Sequence, residues 1–273
     1  MEPKKKNAMA VTLVFGILGV SLLIASFATD HWVKSSPVLK RSTQSPANET
    51  DGSATKYTGN ITFGLFRGYR VLDYGIGPRP QDINVVCSGS DGVCAWSNSS
   101  DPAKRADYMK RIVKFVDNVK TNGTVKDLID YGLFNFGLWV STIVMLALGI
   151  VWGLVSLGFT AFNVVGKPIE TITGPAGLYL WNGLAGTFSL LGALLYVGLF
   201  TKDLATNVLP KDDVDIGWDS NDRTQLDYSF FFVVGAVLSF FVSNIILVVS
   251  GQKLSCSYNR AAEKELDNGM ILY

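Results

Sequence analysis

Residues 133–162 read LFNFGLWVSTIVMLALGIVWGLVSLGFTAF, with no Asp, Glu, Lys, Arg or His anywhere in the run. A helix needs ~20 apolar residues to cross a ~30 Å hydrocarbon core, so Leu133–Phe162 is long enough to span a bilayer. Three further stretches share this character: Ala8–Ala28, Gly174–Phe200 and Tyr228–Ser250. Helices of soluble proteins alternate apolar and polar faces and rarely run this far without charge. Only 17% of residues are charged, against about 25% in an average soluble chain. The fold class expected is an all-α membrane protein, a bundle of four transmembrane helices. The net charge of +1 points to no nucleic-acid partner; the partner implied by the spans is the lipid bilayer.

Orientation comes from glycosylation sequons. Asn48, Asn60, Asn98 and Asn122 each begin Asn-x-Ser/Thr, and all fall between the first and second spans. Glycan acceptors must face the lumenal side, which places that loop outside the cell. The expected order is a cytoplasmic amino terminus 1–7, helix 8–28, outer loop 29–133, helix 134–162, inner loop 163–175, helix 176–200, second outer loop 201–227, helix 228–250 and a cytoplasmic tail 251–273. Lys4, Lys5, Lys6, Lys167, Lys253, Arg260 and Lys264 flank the spans on the inner side, in keeping with the positive-inside rule. The localisation expected is the plasma membrane. A cleaved signal peptide ending at Ser26-Phe27-Ala28 is the competing reading of the first span. Its uninterrupted run exceeds the ~7–15 residues of a signal core, so a retained helix is expected.

The large outer loop has organisation of its own. Residues 35–57 are rich in Ser, Thr, Pro and Asn and read as a solvated segment. Asn60–Phe66 alternates polar and apolar residues and ends at Arg67-Gly68, predicting a half-buried strand and a turn. Tyr69–Tyr74 is its candidate partner, before a breaker at Gly75–Pro80, and a weak strand is expected over Asp82–Cys87. These form a small antiparallel sheet. Met109, Ile112, Val113, Val116 and Val119 recur every three or four residues. They predict a short amphipathic helix that begins near Asp101-Pro102, ends near Asn122-Gly123 and packs under the sheet rather than binding a ligand.

Cys87 and Cys94 are the cysteines of this loop, and a lone pair in a glycosylated segment is expected to form a disulfide. Closing so short a ring contributes ~2–3 kcal/mol on the chain-entropy model. Cys256, six residues beyond the fourth span, is a candidate for palmitoylation, with an idle reduced thiol as the alternative.

No catalytic set is visible. The single histidine, His31, lies beside Trp32 at the outer end of the first span, where both suit an aromatic interface belt. There is no HExxH, phosphate-cradling glycine loop or cysteine cluster, so neither enzyme activity nor a cofactor nor a metal is expected. Intramembrane charges mark ion and proton pathways, and these spans carry none. Asn182 and Asn244 are expected to hydrogen-bond between helices. Small residues four apart, Gly149 and Gly153, Ala185, Ser189 and Ala193, and Gly235, Ser239 and Ser243, predict close helix packing, with a partner's helix as the other use of one stripe. The second outer loop, with Asp203, Asp212, Asp213, Asp215, Asp219, Asp222 and Asp227, reads as a solvated acidic loop rather than a calcium site.

A family resemblance rests on particular residues. Trp32 just past the first span, followed by Gly64-Leu65-Phe66 in a large first loop, resembles the claudin and peripheral myelin protein superfamily. Within it the chain is similar to the clarins. The shared marks are Phe63–Gly68, Gly75–Pro80, the block Gly166-Lys167-Pro168-Ile169-Glu170-Thr171, the block Gly174-Pro175-Ala176-Gly177-Leu178-Tyr179-Leu180, and the ending Met270–Tyr273. Tyr74 stands where similar clarins place a cysteine, and the paired claudin cysteines after Gly-Leu-Trp are missing. The longer outer loop implies a divergent member, of invertebrate type.

The resemblance implies a non-enzymatic tetraspan organiser of specialised sensory-cell membranes, serving hair-bundle mechanotransduction, synapses and actin-linked organisation. The alternatives are an auxiliary subunit that alters a channel's trafficking or gating, and a cell–cell adhesion component. Other membrane proteins, a channel complex among them, are the partners implied, and homo-oligomers remain open. Physically, Pro168 and Pro175 suit a short inner hairpin, and Glu170 suits the positive end of the third helix; a rigid connector and a cytosolic docking site are both open readings. At the carboxyl end, Ile271-Leu272-Tyr273 fits strand addition to a PDZ-type scaffold, with a tyrosine trafficking signal as the alternative.

Overall fold

The computed structural model describes residues 3–39, 57–121, 129, 132–166 and 174–250. In chain order the elements are α1 (Pro3–Ala28), β1 (Val33–Ser35), β2 (Val38–Leu39), β3 (Asn60–Phe63), β4 (Arg67–Asp73), β5 (Pro78–Ser88) and β6 (Val93–Ser97). There follow α2 (Pro102–Thr121), β7 (Leu133–Asn135), α3 (Phe136–Val165), α4 (Pro175–Leu199), α5 (Lys211–Ile216), β8 (Trp218–Asp219), β9 (Thr224–Leu226) and α6 (Tyr228–Val249). A π-helical turn, Phe200–Leu204, closes α4. Helices α1, α3, α4 with its π turn, and α6 are each long and apolar enough to cross a membrane. This is a four-pass membrane protein.

The described residues form two compact units. One takes its residues from Met1–Leu23, Ala147–Ser189 and Gly235–Tyr273, the other from Ile24–Leu146 and Leu190–Val234.

In the first unit, parts of the four spanning helices pack through missing side chains. A Cβ on Gly153 would come within 2.9 Å of Val20 and 3.0 Å of Phe240, and one on Gly19 within 3.0 Å of the same ring. Two glycines thus form the slot that holds Phe240, which is fully buried. Gly149 lies against Ser189, whose Oγ a Cβ there would meet at 2.5 Å. Ser189 and Ser243 donate to Ala185 and Ser239 carbonyls of their own helices, at 2.7 and 3.0 Å. A cross-helix hydrogen bond from Asn182 is not what forms. Its Nδ2 donates to Leu178 O at 3.0 Å within α4, and the Oδ1 atoms of Asn182 and Asn244 have no partner among the described residues. The carbonyl one turn back is the acceptor nearest to hand.

The second unit holds a seven-stranded antiparallel sheet in the order β7-β6-β5-β4-β3-β1-β9, and β2 pairs separately with β8. It is larger than the few strands expected. Phe63 on β3 and Trp96 on β6 would sit ~14 Å apart in a flat sheet with ~4.8 Å between strands. Their rings stack at 4.1 Å, so the sheet curls into a half-barrel. Helix α2 packs on it as expected: Met109 and Ile112 join Val93, Ala95 and Leu133 in one buried cluster.

Two boundaries differ from expectation. Leu133–Asn135 is not helical but a strand paired with Val93–Ala95. Gly132, at φ +74°, approaches Leu209 O so closely that a Cβ would stand 2.1 Å away. Asn135 then starts α3 by accepting the Leu138 N–H at 2.9 Å, an N-cap. Pro78 and Pro80 lie inside β5 rather than in a breaker. Val85 donates its N–H to Phe66 O at 2.9 Å, on the β4 side. Alternation aims the even-numbered residues at the opposite edge, which β6 occupies only from Asn84 onward. No donor is needed at 78 and 80, so proline fits.

Gly153→Leu should therefore lower the thermal unfolding midpoint in detergent, by the ~1–3 kcal/mol of an overpacked core. Gly158→Leu, at a glycine with open space around it, should leave the midpoint nearly unchanged; equal losses would refute the Phe240 slot.

Candidate functional site

The junction between helix ends and sheet is built from the family-motif residues. Trp32 is fully buried, not in an interface belt. Its Nε1 donates to Ser26 O at 2.7 Å, its backbone N–H to Phe63 O at 2.7 Å, and its ring meets Tyr196 edge-on at 4.5 Å. His31 stacks instead on Tyr228 at 4.7 Å. Gly64 passes so near the chain at Thr29 and Asp30 that a Cβ would lie 2.9 Å from both. Leu65 is buried, and its carbonyl accepts the Trp139 indole N–H at 2.9 Å. Phe66 stays half-exposed between the rings of Phe27 and Trp139, at 6.1 and 6.3 Å. The motif is a clamp that holds the sheet on helix ends.

A second centre was not anticipated from the sequence. Arg70, only 6% exposed, forms an ion pair with Asp213 through Nη1. Its Nε and Nη2 donate to Gln81 Oε1 at 3.2 and 2.6 Å. Tyr74 donates its hydroxyl to the other Asp213 oxygen at 3.1 Å and meets the Trp218 ring edge-on. Burial pushes the Arg70 guanidinium below its ordinary value, and the electrostatic influence of the neighbouring Tyr74 and Asp212 opposes that. Burial, reinforced by Asp212, pushes the Tyr108 phenol up. The signal for Arg70 was there: period-two alternation in β4 puts Gly68, Arg70 and Leu72 on the buried face.

The solvated reading of the second outer loop is corrected here. Asp213 is 2% and Asp203 3% exposed, and Asp203 Oδ2 accepts the Asn135 N–H at 2.7 Å. Asp215 pairs with Lys211, while Asp219 and Asp227 accept the N–H groups of Asn221 and Tyr228, at 3.1 and 2.8 Å. These carboxylates hold turns and strand ends, and two of them are buried because each has a donor waiting.

Cys87 and Cys94 face each other across β5 and β6 and are joined as a disulfide. Asn60 and Asn98 are exposed. Ala185, Ser189, Ala193, Ser239 and Ser243 are buried, and a Cβ on Gly235 would lie 3.2 Å from Leu22. Gly166 ends α3 by donating to Phe162 O at 2.8 Å. Gly174 accepts from Gly177 and Leu178 at the start of α4, at 3.0 and 3.3 Å. Leu178 is fully buried and Tyr179 half-buried. Asn48, Asn122, Lys167, Pro168, Glu170, Thr171, Cys256 and the carboxyl tail lie outside the described residues.

Residues 4–88 and 128–206 match a family model described as Clarin-2-like, more than half of the chain. Clarin-2 of Mus musculus is 28% identical over 165 residues, covering 60% of this chain and 53% of that protein. Clarin-3 of Homo sapiens is 24% identical over 251 residues, covering 91% and 86%. Clarin-1 of Homo sapiens is 24% identical over 193 residues, covering 71% and 65%. The chain thus spans a little over half the length of the Clarin-2 proteins it matches. Strand β6 and helix α2 lie between the two matched segments.

Arg70→Met leaves the Asp213 carboxylate buried without its cation, and should cost about 3–5 kcal/mol. The double change Arg70→Met/Asp213→Leu should recover most of that. The measurement is the denaturant midpoint for tryptic protection of the second unit in detergent; a double variant no better than the single would defeat the ion-pair account.

Proposed function

The chain belongs to the clarin family, and on that basis we propose that it is a non-enzymatic organiser of a specialised membrane. In this reading it sits in the plasma membrane with both termini in the cytoplasm. The seven-stranded sheet is the outer face, related in plan to the claudin ectodomain, and it carries glycans at Asn60 and Asn98. The cell type is sensory, and the role is to hold other membrane proteins in place at hair bundles or synapses, with the tail joining a PDZ-type scaffold inside.

The observation that carries the proposal is the union of both outer loops in one sheet. Strand β1, which follows the first span, pairs on one side with β3 and on the other with β9, directly before the last span. The Arg70–Asp213 pair then ties β4 to α5. An ordered platform above spans with no charge in their apolar runs suits recognition of partners better than transport.

Two measurements test this. Peptide-N-glycosidase should lower the apparent mass of the protein from cells, and Asn60→Gln and Asn98→Gln should each remove one step of that shift. An unmodified protein would invert the topology. Crosslinking in intact sensory cells, followed by purification in mild detergent, should recover several membrane and cytoskeletal proteins. A single pore-forming partner at fixed stoichiometry would favour the channel-subunit reading, and self-capture between apposed cells would favour adhesion.

A further inference from the structure

Between the β5–β6 hairpin and α2 lies an open groove of about 710 Å³, within the size range of small-ligand sites. Its floor is apolar: Val85 and Val86 from β5, Met109 and Val113 from α2. Its rim is basic: Arg105, Lys110 and Lys114 line it from successive turns of α2, and no side-chain partner holds any of the three among the described residues. The one acid in the lining, Asp91, is occupied by the hydroxyls of Ser88 and Ser90. Three uncompensated cations over an apolar floor describe an anionic, chain-bearing ligand.

The position of the groove says where that ligand comes from. Its hairpin tip rests on the first residue of a spanning helix: Phe136 donates its N–H to Gly92 O at 3.1 Å, and a Cβ on Gly89 would touch the Phe136 ring at 3.6 Å. One wall of the groove therefore ends at the level where α3 leaves the bilayer. Long basic side chains at that level lie along apolar surface and keep their charges at the headgroups.

We propose that this groove holds one anionic lipid of the adjoining leaflet. Its headgroup pairs with Arg105, Lys110 and Lys114, and part of an acyl chain lies along Val86, Met109 and Val113.

The test uses the full-length protein in nanodiscs with trace phosphatidylserine or phosphatidylcholine carrying a photoreactive diazirine in one acyl chain. After illumination, peptide mapping should find label on the Met109–Val113 segment, with the anionic lipid favoured by on the order of tenfold, since each basic residue near the surface adds its share of attraction. The variant R105Q/K110Q/K114Q should bring the ratio near one. The variant K104Q/R111Q, which removes two charges lining the cleft beside Asn98, should leave the ratio unchanged. Equal labelling by both lipids, undiminished labelling in the triple variant, or no label on α2 would overturn the proposal. So would displacement of the label by a soluble peptide of alternating Leu and Glu, which would assign the groove to a protein partner.

Discussion

A helix that stops at the edge of a bilayer leaves its last carbonyls without donors, and this chain answers that demand at Ser26 with the indole of Trp32. The hydrogen bond at 2.7 Å does more than satisfy one acceptor. It turns the chain back on α1, so that β1 begins at Val33 in register with Phe63 on one side and Leu226 on the other. Asp227 then donates its N–H to Trp32 O, and Ser229 to His31 O, at 2.9 and 3.0 Å. These ends of the first and last spans are thus fastened to each other through His31 and Trp32. The close approach at Gly64 follows from this, because the β3–β4 turn has to pass over the place where α1 ends.

The buried charges further out follow a different logic. Removing Arg70 and Asp213 from water costs nearly what their attraction returns, so the pair adds little to net stability. Its directional demands are another matter. The guanidinium fork uses two donors on Gln81 and one on Asp213, and the remaining carboxylate oxygen takes the Tyr74 hydroxyl. Few alternative placements of α5 on β4 satisfy all four groups at once. Asp203 does the same on a smaller scale, holding the strand β7 through the Asn135 N–H.

Much of this architecture was legible in the chain, for identifiable reasons. The spans announce themselves by the absence of charge, a property of single residues that needs no knowledge of neighbours. Helix α2 and the β3–β4 hairpin follow from local periodicity. Strand β6 forms a local hairpin with β5 but hides from pattern reading, because Val93–Ser97 is buried throughout and shows no alternation. Strands β7 and β9 pair non-locally, and Leu133–Asn135 looks like the start of an apolar helix until β6 claims its backbone. Asp213 resembled its acidic neighbours, and only the inward position of Arg70, more than 140 residues earlier in the chain, distinguishes it. The clamp at Trp32 and Gly64 was visible as a motif, but its hydrogen bonds were not.

The prolines of β5 carry a consequence for assembly. A sheet that ends in an open edge offers main-chain donors and acceptors to any passing strand, and so invites edge-to-edge growth. Along residues 78–83 the outward N–H groups fall at even positions, and proline removes two of the three. Strand addition from a neighbour is closed off there, whether the neighbour is a second copy or a foreign chain. Whatever meets this flank must be recognised through side chains, among them the exposed Arg79 and Asp82, and such contacts can discriminate between partners where a bare peptide ladder accepts them all.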